Sequence, residues 1–243
     1  MQFLTDLFCA IWETETVPEE WHQGIIIPLY KGKGSRSECR NYRGITLLSV
    51  PGKVFSHVLL ARIRPVLLAH RRQQQSGFTP GRSTCDRILT LNLIAQRRRE
   101  FGRPTYAAYV DLRSAFDSIS RPALWLLLSR LGIPGKIIHL MKSLYEQSVT
   151  CVCANGLQSE WFEITSGVRQ GFVVAPDSFA TGVDWVMERA TGRGMNGVVF
   201  GQDAYTDLDF ADDISLLAEL LSLLIPVLEA FAEEAAAIGL EVN

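Results

Sequence analysis

The sequence predicts an α+β fold built around an antiparallel sheet, and three observations support this class. Segments with strand character and segments with helical periodicity follow each other without a regular βαβ period. Asn155-Gly156 separates two short apolar runs, which is a strong hairpin signal. Residues 204–218 have the pattern of strand, tight turn and strand, with Ala211-Asp212-Asp213 at the tip.

In the first half of the chain, hydrophobic periodicity predicts three helices and one strand. The helices cover residues 2–13, 51–70 and 86–99, and the strand covers residues 24–29. A basic, glycine-rich loop follows the strand. In the second helix we expect one face to point inward, formed by Val54, Phe55, Val58, Leu59 and Ile63.

The second half begins with a predicted strand at residues 106–110. Ser120 is a suitable N-cap for the helix that follows, with Pro122 near its first position. Gly132 and Pro134 end that helix. Further helices are predicted over residues 135–147, in the stretch leading into residue 187, and up to residue 238.

Composition excludes several classes of protein. Apolar residues make up 47% and charged residues 21% of the 243 residues, which is ordinary globular usage. Five cysteines without a Cys-x-x-Cys pair argue against both a disulfide scaffold and a zinc site. The apolar stretch 220–228 is far shorter than the roughly 20 residues that span a bilayer. We therefore expect an intracellular protein with no membrane partner.

The formal net charge of −2 conceals a strong asymmetry along the chain. Residues 1–30 carry a net charge of −5, residues 31–103 carry +13, and residues 104–243 carry −10. A basic block beside an acidic block suggests a polyanion-binding surface next to a carboxylate-rich site. The alternative is that the basic block forms a solvated face.

Three carboxylates are candidates for chemistry. Asp111 follows the apolar run 107–110, and Asp212 and Asp213 lie between two apolar runs. Acids at the ends of strands repel one another and are tolerated where a hard divalent cation lies between them. Two Mg²⁺ ions at about 3.5–4 Å could then activate a hydroxyl and stabilise a leaving pyrophosphate. The alternative is that Asp212-Asp213 is only a hairpin turn, where Asp is common.

Six segments resemble one known family. FADD at 210–213 resembles the aromatic-x-Asp-Asp box of reverse transcriptases, and YVDLRSAFDSIS and SGVRQG resemble their first and second palm motifs. IIIPLYKGKG, NYRGITLLS and QSGFTPGRST occur upstream, in the same order as in non-LTR (LINE-type) retrotransposon polymerases. The resemblance implies a polymerase-type palm with a fingers subdomain. We expect an N-terminal helical segment at 1–23, fingers at 24–103 and palm at 104–243, with the thumb absent.

The resemblance also assigns the acids and the nucleotide site. Asp111 and Asp212 are expected to bind two Mg²⁺ ions, with Mn²⁺ as an alternative, and Asp213 completes the metal site. Phe116 is expected beneath the sugar of a dNTP, where it would exclude a 2′-hydroxyl; alternatively it is a core aromatic. Gln170 and Gly171 are expected to contact the nucleotide.

Basic residues are assigned in the same way. Lys31 and Arg43 are expected to hold the triphosphate. The template backbone is expected to contact Arg82, Arg97, Arg98 and Arg99. For both groups the alternative is a solvated basic surface. We expect a structural hydrogen bond at Asp117 and leave the roles of Asp207 and Asp209 open.

The resulting hypothesis is an RNA-directed DNA polymerase domain that uses an RNA template, a DNA primer and dNTPs, and acts in the nucleus. Because the match ends at Asn243, where the family continues into a thumb, the activity of this chain is left open. One alternative is an inactive RNA-binding fragment. Another is a nucleotidyl cyclase or a different palm-type enzyme, against which the fingers motifs argue. The oligomeric state is also open.

Overall fold

A computed structural model describes residues 2–169, 171–193 and 197–243. Within these residues the chain is α+β, as predicted. The helices are α1 (Gln2–Thr14), α2 (Val50–Ala69), α3 (Thr84–Glu100), α4 (Ala115–Ser118), α5 (Arg121–Arg130), α6 (Gly135–Tyr145), α7 (Ala175–Thr191) and α8 (Leu221–Ala237).

The strands are short and mostly antiparallel. They are β1 (Gln23–Tyr30), β2 (Tyr42–Leu47), β3 (Tyr106–Val110), β4 (Leu112–Arg113), β5 (Val149–Ala154), β6 (Leu157–Gln158), β7 (Phe162–Glu163), β8 (Val198–Phe200), β9 (Asp203–Tyr205), β10 (Asp207–Phe210), β11 (Asp213–Ala218) and β12 (Glu241–Val242).

Two sheets form the frame of the molecule. The larger has the order β2-β1-β5-β6 with β7 beside β5, and its β1 and β5 run parallel. The smaller is antiparallel, with the order β10-β11-β3. Because β5–β7 join β1 and β2, the larger sheet draws on residues assigned to both fingers and palm. The subdomain boundaries therefore remain a prediction.

The long helix α2 shows how the local sequence sets an element. Its N-cap Ser49 accepts a hydrogen bond from the Gly52 amide, and proline occupies the first turn. The inward face was predicted only in part, because Val54 is 40% and Val58 is 37% exposed. The expectation that both point inward was wrong. The buried face is rotated away from these two valines, and the residues that form it are Gly52, Phe55, Ser56, Leu59, Leu60, Ile63 and Leu67.

The main hydrophobic core joins most of the helices to the smaller sheet. It takes in buried residues of α1, α2 and α5–α8 together with residues of β3 and β11, so the smaller sheet is anchored to this packed interior. The fully buried aromatic side chains in it are Phe55, Phe179 and Phe231. In the described parts of the chain, no helix is both long enough and apolar enough to cross a bilayer.

Candidate active site

The smaller sheet brings the three predicted aspartates to one end. Ile214 of β11 pairs with Val110 of β3 in an antiparallel register. Asp111 and Asp213 are the next residues of the two chain segments beyond this pair, so they lie at the same end of the sheet. Asp212 lies in the two-residue loop between β10 and β11, directly before Asp213. Residues about a hundred positions apart in sequence therefore converge because two neighbouring strands end together.

The charges of these acids act on one another. Burial raises the pKa of Asp212, and repulsion from Asp213 and Asp111 raises it further. A backbone hydrogen bond and the positive charge of Arg43 lower it. Asp111 is exposed, and its Oδ2 accepts a hydrogen bond of 3.0 Å from the Asn243 side-chain amide. A cation placed between the carboxylates would relieve this repulsion.

The chemistry of these donors suits Mg²⁺, which prefers oxygen ligands. Among the described residues, however, no group of three or more acidic, histidine or cysteine side chains forms a ready metal cage. Mg²⁺ usually keeps several waters and is held by one or two carboxylates together with substrate phosphates. Two acids, Asp111 and Asp212, meet that requirement, and the remaining ligands would come from water and the substrate.

A cleft of about 860 Å³ opens beside Asp212. This volume lies within the range of about 300–1,000 Å³ that small-molecule sites occupy. Its basic lining residues are Lys31, Arg40 and Arg43. The carboxylates of Asp212 and Asp117 also line it. Cationic and anionic side chains therefore border one space that is large enough for a nucleotide.

Phe116 lies between this cleft and the core. Its ring is half-buried, lines the cleft and stacks on Phe179 with ring centroids 4.3 Å apart. Phe78, another residue of the cleft, meets it edge-on at 6.2 Å. The packing of Phe116 agrees with the alternative of a core aromatic, and its contact with a nucleotide sugar stays a prediction. One side packs on the core, and the ring also borders the open space.

Hydrogen bonds join the SGVRQG segment to the YVDLRSAFDSIS segment. The Val168 amide donates to the Phe116 carbonyl at 2.7 Å, and the Ser166 hydroxyl donates to the Asp117 carbonyl at 3.0 Å. Gly171 follows with φ +89°, and a Cβ there would lie 2.5 Å from the Thr46 carbonyl oxygen. Only glycine fits this approach to β2. Gln170, the other predicted contact, lies outside the described residues.

The predicted triphosphate residues both line the cleft. Arg43 is exposed and close enough to Asp212 for its charge to lower the pKa of that carboxyl. Lys31 is also exposed, and its Nζ donates a hydrogen bond of 2.9 Å to the Arg40 carbonyl. The Lys31 ammonium has three donors, so this bond leaves capacity for a phosphate.

The four arginines predicted to contact the template do not form one group. Arg82 and Arg99 are exposed, and Arg97 pairs with Glu100 and stacks on Phe101. Arg98 differs, because its side chain is only 4% exposed. It forms an ion pair of 2.6 Å with Glu219 and donates to the Pro104 carbonyl.

The prediction of nucleic-acid contact for Arg98 is therefore corrected. It follows Ile94 by four residues, so both lie on the buried face of α3. Its guanidinium holds the helix against Glu219, in the segment that precedes α8. The three exposed arginines stay candidates for phosphate contact.

Arg169 is a structural residue that the sequence alone did not explain. Its guanidinium donates to the carbonyls of Trp21, His22 and Leu144. Burial lowers its pKa to about 10. It thus ties the second palm motif to the start of β1 and the end of α6. Its position directly before Gln170-Gly171 was the one feature in the sequence that could have drawn attention to Arg169.

Asp207 and Asp209, which precede the FADD segment, are fully buried. Arg72 bridges them, with 2.8 Å to Asp207 and 3.4 Å to Asp209. Burial, and then repulsion from Asp207, raises the pKa of Asp209 well above its ordinary value. Their role, left open by the sequence, is to attach β10 to the chain that follows α2.

Comparison with known proteins identifies the family of this chain. The family described as "Reverse transcriptase (RNA-dependent DNA polymerase)" matches residues 31–243. The Pol polyprotein of the Drosophila melanogaster retrotransposable element R2DM is 26% identical over 84% of this chain and 19% of its own length. The RNA-directed DNA polymerase of the D. melanogaster mobile element jockey is 25% identical over 92% and 24%.

The R2 element of Popillia japonica encodes a polyprotein 27% identical over 84% of this chain, which spans 28% of that relative. The chain thus spans less than a third of the length of these curated relatives. The predicted resemblance to retrotransposon polymerases is confirmed. Among solved structures, a truncated apo telomerase from Candida tropicalis superposes with a TM-score of 0.65. It covers the whole chain and 54% of the telomerase at 16% identity, which shows a shared fold. The chain therefore belongs to the reverse transcriptase family, the RNA-dependent DNA polymerases.

Proposed function

We propose that this chain is the catalytic part of an RNA-directed DNA polymerase that transfers deoxynucleotides to a primer 3′-hydroxyl with two divalent ions. The observation that carries the proposal is the convergence of Asp111, Asp212 and Asp213 at one end of a sheet, where Asp212 lines a cleft together with Lys31 and Arg43. Family membership supports the reaction class. It also favours a polymerase over a nucleotidyl cyclase.

Phosphoryl transfer demands mainly positioning and neutralisation of charge. Lys31 and Arg43, which line the cleft, would neutralise the triphosphate. Asp111 and Asp212 would hold the metal ions, with Asp213 beside them. When bound, Mg²⁺ would supply Lewis-acid stabilisation of the developing charge and lower the pKa of the attacking hydroxyl.

Selection of the sugar would fall to Phe116. Its ring stacks on Phe179, so the core holds it in place. A rigid ring at the border of the cleft would collide with a 2′-hydroxyl and admit a deoxyribose. Gly171, which lines the cleft, would contact the nucleotide through its backbone.

The experiment is primer extension on an RNA template with dNTPs and Mg²⁺. Asp212→Asn keeps the size of the side chain and removes its charge. The matched control is Asp203→Asn, which makes the same change at an exposed position of β9. We expect Asp212→Asn to lose about a hundredfold or more of the incorporation rate, because it removes a metal ligand. The control should match the wild-type chain.

Two outcomes would count against the proposal. Equal incorporation by Asp212→Asn and wild type would remove Asp212 from the chemistry. RNA binding by the wild-type chain without incorporation at any metal concentration would favour the alternative of an inactive RNA-binding fragment. A filter-binding series in rising salt identifies that case, because phosphate contacts weaken steeply with salt.

A further inference from the structure

The loop that carries Asp212 is held from outside its own hairpin. Segment 74–77, which overlaps the start of the QSGFTPGRST segment at residue 75, runs beside the edge strand β10. The Ser76 amide donates to the Asp209 carbonyl at 2.9 Å, and the Asp209 amide donates to the Gln74 carbonyl at 3.0 Å. The segment therefore pairs with β10 through one short parallel bridge and ends beside the loop that carries Asp212.

The Gln75 side chain forms hydrogen bonds with one residue of the β10–β11 loop, Ala211. Its Oε1 accepts from the Ala211 amide at 2.8 Å and from the Gly77 amide at 2.7 Å. Its Nε2 donates to the Ala211 carbonyl at 3.3 Å. One amide side chain thus satisfies both backbone polar groups of Ala211. Gln75 is only 1% exposed, so water does not compete for these bonds.

The backbone conformation of this loop residue, Ala211, is unfavourable. Ala211 has φ +60°, in the left-handed region that costs a residue with a Cβ roughly 1–2 kcal/mol. Glycine is the usual residue there in two-residue hairpin loops. Gly77 lies against the same residue, since a Cβ on it would be 2.2 Å from the Ala211 nitrogen. The loop is therefore held in its strained form by neighbouring contacts.

We propose that Gln75 is a positioning residue that sets the direction of the Asp212 carboxylate by fixing the Ala211 backbone. Asp212 is bonded directly to Ala211, so a rotation at Ala211 moves the carboxylate relative to Asp111. This inference rests on the proposed polymerase function. Gln75 itself, buried behind the loop, takes no part in the chemistry.

The test replaces Gln75 with methionine, which has a similar shape and lacks the amide. The matched control is Gln73→Met, the same change at an exposed side chain two residues away. We expect Gln75→Met to lower kcat for dNTP incorporation tenfold or more, because displacement by about 1 Å can cost on the order of a hundredfold. The KM for dNTP should change less than about threefold, since the cleft walls are untouched.

A second readout separates positioning from general stability. Amide hydrogen exchange at Ala211 should accelerate strongly in Gln75→Met. Exchange at Leu217, whose amide donates to Thr206 inside the same sheet, should stay unchanged. A fall in kcat accompanied by faster exchange at Leu217 would indicate a structural defect and overturn the proposal. An unchanged kcat in Gln75→Met would overturn it as well.

A failure of the proposed polymerase function can be distinguished from a failure of the positioning role of Gln75. If the wild-type chain and Asp212→Asn are equally inactive, Mn²⁺ alone serves as the probe, with free Mn²⁺ measured by electron paramagnetic resonance. Weaker Mn²⁺ binding by Gln75→Met than by Gln73→Met would then support the positioning role. Equal Mn²⁺ affinity of the two variants would refute it.

Discussion

Phe116 shows how one side chain can belong to the core and to the site. Its ring stacks on Phe179, while the same residue borders the cleft beside Asp212. A ring held this way has little freedom to move aside for a larger sugar. The selectivity proposed for the cleft therefore depends on packing beneath it.

Replacing Phe116 by alanine should relax selection of the sugar. The space left by the ring would accept a 2′-hydroxyl, and we expect discrimination against ribonucleotides to fall by about tenfold or more. Competition between dNTPs and rNTPs in single-nucleotide incorporation measures the ratio. Phe78→Ala, which removes an aromatic from the same cleft, is the control and should keep the discrimination. Unchanged selectivity in Phe116→Ala would leave Phe116 as a core aromatic.

Gly171 is a second residue of the site, and its importance lies in its backbone conformation and its close approach to β2. Gly171→Ala should lower the free energy of unfolding by more than Gly81→Ala. Both positions have positive φ, but a Cβ meets the Thr46 carbonyl only at residue 171, whereas none of the described residues comes within 4 Å at residue 81. Strain alone costs about 1–2 kcal/mol, and the collision adds to it. Urea unfolding measures both variants, and equal losses would show that the contact with β2 relaxes easily.

At the scale of elements, strand β10 is held by buried charges. Arg72 pairs with Asp207 and Asp209 on the strand, and the neighbouring Arg71 pairs with Asp184 of α7 at 3.1 Å. Buried ion pairs contribute little net stability, but the loss of one partner is expensive. The network therefore specifies where β10 lies, and with it the loop that carries Asp212.

This network makes stability depend on pH. Burial raises the pKa of Asp184 to about 7, although Arg71 and Arg72 oppose the shift. Between about pH 4 and pH 7 the folded chain keeps a proton that the unfolded chain has lost, so the contribution of Asp184 is full at low pH and is lost as the pH rises. The slope is at most about 1.4 kcal/mol per pH unit.

Asp184→Asn should remove this component. The free energy of unfolding of the variant, relative to the wild-type chain, should rise between pH 4 and pH 7. Denaturant unfolding at four pH values measures it, and Asp203→Asn controls for the loss of an exposed carboxylate. A difference between variant and wild type that does not change with pH would contradict the raised pKa.

At the scale of the whole molecule, local patterns predicted most elements. The strand expected at residues 106–110 is β3, and the strand–turn–strand expected around Ala211-Asp212-Asp213 is the β10–β11 hairpin. These signals are local, because periodicity, caps and turn residues act over a few positions. The end of β3 and the tip of that hairpin then suffice to suggest that Asp111 and Asp212 meet.

Features that depend on distant partners were not predictable. The parallel pairing of β1 with β5 joins segments more than a hundred residues apart. Arg98 is buried against Glu219, with which it forms an ion pair. The side chain of Gln75 hydrogen-bonds to Ala211, which is 136 residues away in sequence. A single sequence contains no signal for such pairs, so all three arginines at the end of α3 were expected to contact the template backbone.

The central claim is that Asp111 and Asp212 act as one unit in metal-dependent nucleotide incorporation. A double-mutant cycle of Asp111→Asn and Asp212→Asn, measured by single-turnover incorporation on an RNA template, tests it most directly. We predict that each single variant loses most of the rate and that the double variant is slower than the worse single by no more than about tenfold, because residues that act together are not additive. Losses that multiply, or single variants as fast as wild type, would contradict the account.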